Sequence, residues 1–494
     1  LIATQLPILQ VILPLIMAPI ALIVRSPRTV WMLTLLVTWI TFCISLTLLM
    51  QVLEGGTIVY RIGGWAAPWG IEYVLDKVGA FVLVIVSAIG SIVMTYARRS
   101  VEAEIQEDRI YLFYTMFLLC LTGLLGIVIT GDVFNLFVFL EISSLSSYVM
   151  ISLGKDRRAL TAAYRYLIMG TLGATFYIIG VGMMYMMTGT LNMADLAVLI
   201  PSIADSRTIQ TAMAFLTVGV CLKLALFPLH LWLPNAYTYA PSVVTAFLAA
   251  TATKVAVYVL IRIVFTLFGD VNILEGLGVQ NILMALAIVA MFAASIMAIY
   301  QDNMKRLFAY SSVAQIGYII LGLSFASQVG VAAGIVHLFN HAIIKCAIFM
   351  GLGCIALRVG GVSIKNMYGL GYRMPWTMAA IVIGGLGLIG IPMTVGFVSK
   401  WYLVRAAFEQ DMWIIAALIV LSSLLAIVYV WRLVEAAYLK SAPQDAAPIS
   451  EAPLSMLLSL WILALASIYF GVDATTTMNI ALDSADTLLN GGLQ

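Results

Sequence analysis

Charge is what this sequence has least of. Asp, Glu, Lys and Arg make up 10% of its 494 residues against 63% hydrophobic, and the mean hydropathy is +1.08. A soluble globular chain is thereby excluded, because it has no means of hiding that much apolar surface. No basic run supports nucleic-acid binding, and the net charge of +2 argues neither way. The five cysteines (Cys43, Cys120, Cys221, Cys346 and Cys354) all lie inside apolar runs and form no C-x-x-C pair, so they read as core residues rather than redox or metal groups. Strands alternating apolar and polar residues over half a membrane-helix length are missing, which excludes a β-barrel. No motif for nucleotide, flavin, haem or iron–sulfur binding occurs, so no cofactor and no metal are expected. A cleavable signal peptide is not evident either: the apolar N-terminus flows into a full-length span ending at Arg25.

What is present is a series of apolar runs near the length of a membrane helix. About fourteen are expected, near 5–24, 29–53, 75–97, 110–130, 132–153, 164–188, 208–232, 241–268, 279–301, 306–325, 328–357, 376–404, 411–439 and 454–472. The fold class is therefore an all-α polytopic membrane protein, a single membrane domain over 1–494. Loops after odd-numbered spans carry Arg25/Arg28, Arg98/Arg99/Arg109, Lys155/Arg157/Arg158, Lys305/Arg306, Arg358/Lys365/Arg373 and Lys440. Loops after even-numbered spans carry Arg61 and Arg207 but otherwise Asp195, Asp205, Asp270 and Glu275. By the positive-inside rule the first set is cytoplasmic, which puts both termini outside a cell inner membrane.

Ionisable side chains at membrane depth cost several kcal/mol unless paired or hydrated, so they are the first functional suspects. Glu141 lies nine residues past Asp132 in GDVFNLFVFLEISSL, about 13 Å deep at 1.5 Å per residue. Lys223 and Lys254 lie inside the seventh and eighth spans, and Lys400 inside the twelfth. The eleventh span reads AAGIVHLFNHAIIKCAIFM, with His337, His341 and Lys345 recurring every four residues on one stripe. A single such lysine is as easily a snorkelling end residue or a structural ion pair. Four lysines, a carboxylate and two histidines on separate spans instead describe a hydrated proton relay.

Two spans are interrupted. Pro228 and Pro234 follow Lys223, and GGLGLIGIP, ending at Pro392, precedes Lys400. Proline removes a helix hydrogen bond and glycine lets the backbone unwind. Irregular backbone at this depth survives only inside protein or along a wet cavity. The breaks occupy comparable places in successive blocks of five spans, and an odd number inverts the topology. The expectation is two inverted five-helix repeats with broken helices 7 and 12. The repeats would cover 109–268 and 279–440, after three N-terminal helices in 1–108 and before a last helix and outer tail in 454–494.

Five stretches then carry a resemblance: FNLFVFLEISSLSSYVMI, LKLALFPLHLWLPNAYTYAPSVVTAFLAATATKVAVY, KRLFAYSSVAQIGYIILG, HLFNHAIIKCAIFM and GIPMTVGFVSKW. Over roughly 75–440 the chain resembles the antiporter-like membrane subunits shared by respiratory complex I, membrane-bound hydrogenases and Mrp-type multisubunit cation/proton antiporters. GDVFNLFVFLE, opened by Asp132, is most similar to the Mrp D subunit and related hydrogenase subunits. The chain departs from the pattern at LPNAY, where Asn235 and Tyr237 stand for an acid and a histidine, and at Gln315, where some relatives have His. The long carboxy-terminal lateral helix of the largest members is not expected here.

The resemblance implies that Glu141 and Lys223 form a coupled ion pair, that Lys254, His337, His341 and Lys345 carry protons through the middle, and that Lys400 is the terminal site toward the outside. His230 would be an input-side contact, and Ser146, Thr253 and Tyr318 would hold water or merely pack. The implied function is a proton-translocating subunit of an Mrp-type sodium/proton antiporter, an ion transporter rather than an enzyme. The alternative is a proton-pumping subunit of a redox complex. Either way the implied partners are other membrane subunits, protons, Na+ and the lipid bilayer.

Overall fold

An apolar segment in lipid has to satisfy its own backbone, and a helix does so residue by residue. The computed structural model describes residues 3–269, 278–442 and 448–490 and is almost wholly helical. Asp270, Glu275 and the end of the tail lie outside the described residues. Helices α1 (Leu6–Val24), α2 (Pro27–Gly55), α3 (Lys77–Glu104), α4 (Ile110–Ile129), α5 (Val133–Ser152) and α6 (Arg158–Thr188) come first, with a short α7 (Met193–Leu199) after them. Then follow α8 (Arg207–Leu224), α9 (Trp232–Tyr239), α10 (Ser242–Ala250) and α11 (Ala252–Ile261). The second half holds α12 (Val279–Ile299), α13 (Met304–Ser324), α14 (Gln328–Val359), α15 (Pro375–Ile389), α16 (Val395–Glu409), α17 (Trp413–Val434), α18 (Leu454–Val472) and α19 (Thr475–Asn490).

Among the described residues, 12 spans are long and apolar enough to cross a membrane. The two other expected crossings are the interrupted ones, α8 with α9 and α15 with α16. The chain is a multi-pass helical membrane protein. Its centre is α13, α14 and the run α10–α11, all buried along most of their length, whereas only about a third of α1, α2, α17 and α18 is buried. The 32-residue α14 packs against α3, α10, α13, α15, α16 and α18, so its stripe of ionisable residues has protein on every side.

Hydrogen bonds between loops sort the ends. The Glu104 carboxylate accepts from the Ser242 amide at 2.9 Å, and Lys155 Nζ donates to the Ala103 carbonyl at 2.6 Å. The Ile364 amide donates to Asp302 O at 2.7 Å, and Arg358 Nε to Glu451 O at 3.0 Å. These bonds join the loops rich in Lys and Arg at one end. At the opposite end Asn192 Nδ2 donates to Glu72 Oε1 at 2.8 Å, and Lys77 pairs with Asp483 at 2.8 Å.

Three local features correct the expectation of plain helices. Strands β1 (Ile58–Arg61) and β2 (Glu72–Leu75) pair antiparallel, Ile58 opposite Leu75, between α2 and α3. The eighth span, read as one helix, breaks at Thr251 and ends in a π-helix over Arg262–Leu267. The tail after residue 473 is not loose: α19 docks on α14 and α3 through Met478, Ala481, Ala485 and Leu488.

Candidate functional site

The site begins where α8 meets α5. Lys223 Nζ lies 3.3 Å from Glu141 Oε1 and donates to Ser144 Oγ at 2.8 Å. Lys223 is buried, but the Glu141 side chain keeps 23% of its surface open on the outside of α5. The expected hydroxyl, Ser146, instead bonds its own helix at Ile142 O, so Ser144 is the residue that sequence reasoning missed. Asp132 caps α5, its Oδ1 accepting from the Asn135 amide at 2.7 Å, as an N-cap carboxylate does.

The seventh span breaks just past Lys223. Ala225 adopts a left-handed conformation (φ 60°), Pro228 lies in the following turn, and α9 restarts at Trp232. Carbonyls freed there find partners: the Leu226 amide reaches Cys221 O at 3.1 Å and Trp232 Nε1 reaches Leu222 O at 2.9 Å. His230 is buried beside this turn, stacked on Phe227 at 4.9 Å, with its Nδ1 unpartnered among the described residues. Pro234, counted with the break by sequence, lies within α9.

A cavity of about 20 Å³ adjoins Lys223, lined by Ser143, Ser144, Ser147 and Tyr166 on one side and Ala252, Val255 and Ala256 of α11 on the other. That volume admits about one water molecule. Lys254, also on α11, does not line this cavity; its Nζ donates to the Ala249 carbonyl at 2.5 Å and lies 3.4 Å from Thr253 Oγ1. The Thr251 break leaves the Ala249 carbonyl free to accept that bond.

The stripe on α14 comes next. His337, His341 and Lys345 are each at most 1% exposed. Lys345 Nζ donates to Phe308 O at 2.8 Å and to Ser311 Oγ. His341 has no hydrogen-bond partner on either ring nitrogen among the described residues and lies within electrostatic reach of both Lys254 and Lys345. Its ring is 6.4 Å from that of His337. His337 is held at both nitrogens, by Ser399 Oγ at 2.7 Å and Gln315 Oε1 at 2.9 Å. Gln315, a departure from the family pattern, is thus a direct partner of His337. Asn340, which sequence reasoning passed over, donates to Val395 O at 2.6 Å and Ser399 Oγ at 3.1 Å, tying α14 to the second break.

That break runs through Gly390 (φ 88°), Pro392 and Met393 (φ 71°). Lys400, on α16, folds back across it and donates to the carbonyls of Leu388 at 2.8 Å and Ile389 at 3.1 Å, with its Nζ 4.6 Å from the centre of the Tyr318 ring. Here an ammonium is held by the negative end of a helix rather than by a carboxylate. Titratable groups therefore stand on five helices, from the partly open Glu141 on α5, through buried Lys223 on α8, Lys254 on α11 and the stripe on α14, to Lys400 on α16.

Residues 130–426, which hold all of these groups, match the family described as NADH:quinone oxidoreductase/Mrp antiporter, TM. The chain belongs to this family. It is 40% identical over 487 residues to a protein of Desulforudis audaxviator named as the N subunit of an NADH-quinone oxidoreductase, covering 95% of this chain and 96% of the relative. It is 30% identical over 447 residues to the D subunit of the Na(+)/H(+) antiporter of Alkalihalophilus pseudofirmus, covering 90% and 89%. Among solved structures, a chain of the membrane-bound sulfane sulfur reductase, an archaeal respiratory membrane complex, superposes with a TM-score of 0.91 at 32% identity, covering 99% of this chain and 98% of that one.

Proposed function

We propose that the chain is the proton-translocating, antiporter-like subunit of a multisubunit Mrp-type sodium/proton antiporter. Protons move through Glu141, Lys223, Lys254, His341, Lys345, His337 and Lys400. The observation that carries this reading is the Glu141–Lys223 contact of 3.3 Å at membrane depth, opening onto a buried row of further basic groups. Burial disfavours a charged amine, and a carboxylate in contact favours it. While Glu141 is close, Lys223 keeps its proton. When Glu141 withdraws, that support is lost and the proton passes on toward Lys254. The two groups titrate as one unit.

On this reading the basic end faces the cytoplasm, both termini lie outside the cell inner membrane, and spans 4–8 and 9–13 are inverted repeats whose breaks lie beside Lys223 and Lys400. The chain transports and does no bond chemistry, and it works with other membrane subunits. Support comes from the two broken helices, each next to a buried lysine, and from the relatives named as antiporter D subunits. The test is cation-dependent proton flux in inverted vesicles. Wild-type flux from an assembled Lys223→Ala variant would remove the reading.

A second reading, a proton-pumping subunit of a redox complex, is favoured by the 40% identity to a protein named for quinone oxidoreduction. The same relay would serve there, driven from a neighbouring redox module. Purification of the native assembly separates the two: accompanying subunits with redox clusters select the second reading, small membrane subunits alone the first.

A further inference from the structure

Lys254, Tyr258 and Arg262 recur every four residues along the eighth span, so they share one face, and all three are buried. Helical side chains tilt toward the helix N-terminus, here toward Lys254. Arg262 follows that tilt: its Nε donates to the Tyr258 hydroxyl at 2.8 Å. Its two terminal nitrogens grip Asp76, NH1 to Oδ2 at 2.8 Å and NH2 to Oδ1 at 2.5 Å. Asp76 caps α3 as well, accepting from the Gly79 amide at 2.9 Å, and Tyr258 donates to Val128 O on α4 at 2.8 Å. The bidentate pair and Tyr258 together therefore tie α3 and α4 to the eighth span at the end opposite the basic loops, two turns beyond Lys254.

A buried ion pair does not stabilise a fold more than apolar residues of the same size, so cohesion alone does not account for it. Its chemistry is also wrong for a carrier. Guanidinium stays protonated and hands nothing on. Both Asp76 oxygens are occupied, and the Tyr258 hydroxyl both donates and accepts. The stripe starts with a group able to exchange a proton and ends with one that is not.

We propose that the Asp76–Arg262 pair, braced by Tyr258, is a seal. It closes the outer end of the first half, so that a proton on Lys254 has no outward route there and leaves only through the second half. This rests on the relay reading of Lys254. The pair lies between Lys254 and the outer surface, and its bidentate grip keeps water from threading between α3, α4 and the eighth span.

The test is passive leak. The native assembly is placed in vesicles, a pH gradient is imposed with neither driving cation nor redox substrate, and its collapse is followed with a pH-sensitive dye. Arg262→Gln and Asp76→Asn should speed the collapse several-fold at equal assembled protein. Adding Lys254→Ala to Arg262→Gln should return the leak to the wild-type rate, since a leak caused by general damage would not depend on Lys254. A wild-type rate in the assembled single variants, or a leak insensitive to Lys254→Ala, overturns the seal. Should Arg262→Gln and Asp76→Asn fail to assemble, Tyr258→Phe decides: a smaller leak supports the seal and a wild-type rate overturns it. Failure of the relay reading looks different, because Lys254→Ala alone would then leave driven transport intact.

Discussion

Lys400 reaches back over the break in its own span to the carbonyl of Leu388, 2.8 Å away, and to that of Ile389, 3.1 Å away. The lysine is held by a helix end whose last carbonyls have no amide partners. Lys400→Ala removes both the carrier and the donor and should stop transport. Lys400→Glu should retain more activity than Ala, because a carboxylate binds and releases a proton, although it faces carbonyls that repel it. Lys400→Arg keeps the charge and the donors yet cannot release a proton, so it should be poor. The order is wild type, then Glu, then Arg and Ala, read as proton flux in inverted vesicles at equal protein level. Arg equal to wild type would reduce Lys400 to a fixed charge.

Glu141 and Lys223 should each be indispensable, and Ser144 should not. Glu141→Ala and Lys223→Ala are expected to abolish flux with assembly intact. Ser144→Ala takes away one hydrogen bond to a charged group, worth about 1.5–3 kcal/mol. It leaves the carboxylate in place, so flux should fall without vanishing. The check is flux and assembly measured on the same preparations; a Ser144→Ala variant as dead as Lys223→Ala would make the hydroxyl, not the ion pair, the essential contact.

Most of the fold was legible because lipid forces apolar runs into helices, and the same reasoning found the lysines, since a charge in such a run needs a purpose. The breaks at Pro228 and Gly390–Pro392 were legible from residue type. The break at Thr251 was not, because AATATK holds neither Gly nor Pro; there Thr251 Oγ1 turns back to Phe247 O at 2.7 Å, and the Lys254 ammonium takes the Ala249 carbonyl. Helix α19 was missed because TTTMNIALDSADTLLN has no long apolar run and gains its buried face only by docking on α14. Arg262 carried the signal used for the lysines, a lone charge in VYVLIRIVF, but its partner Asp76 is 186 residues away. Ser144 was hidden within SSLSS, where only packing decides which hydroxyl faces Lys223.

The second break depends on a close crossing that leaves no room for a side chain. A Cβ on Gly396 would collide with the backbone carbonyl of Gly387 in α15. Gly396→Ala should therefore force α15 and α16 apart, costing about 1–3 kcal/mol or more as overpacking does. The readout is thermal stability of the assembly in mild detergent. Gly182→Ala is the control: a Cβ there meets nothing within 4 Å, and removing a helical glycine should be neutral or stabilising by about 0.5–1 kcal/mol. Equal stability of the two variants would mean the crossing is looser than its geometry.

On α5, Phe134, Val138, Leu145 and Val149 are all exposed, and the partly open Glu141 lies in the middle of their row. Their spacing keeps them on one helical face. Apolar residues there are content in lipid, but a carboxylate is not: its open oxygen needs a donor or water at that depth. A neighbouring membrane subunit packed on this face supplies such an environment, and the same neighbour would then move Glu141 toward or away from Lys223. The chain should accordingly purify in mild detergent together with other membrane subunits. A cysteine placed at Leu145, in a background without Cys43, the one exposed native cysteine, should cross-link to one of them, while a cysteine at the exposed Leu36 on α2 should not. Leu145→Trp, by wedging the face open, should weaken co-purification and flux together. A chain that is stable and transport-active on its own, or a Leu145 cross-linker that finds no neighbour, would leave Glu141 facing lipid and would demand another source for its control.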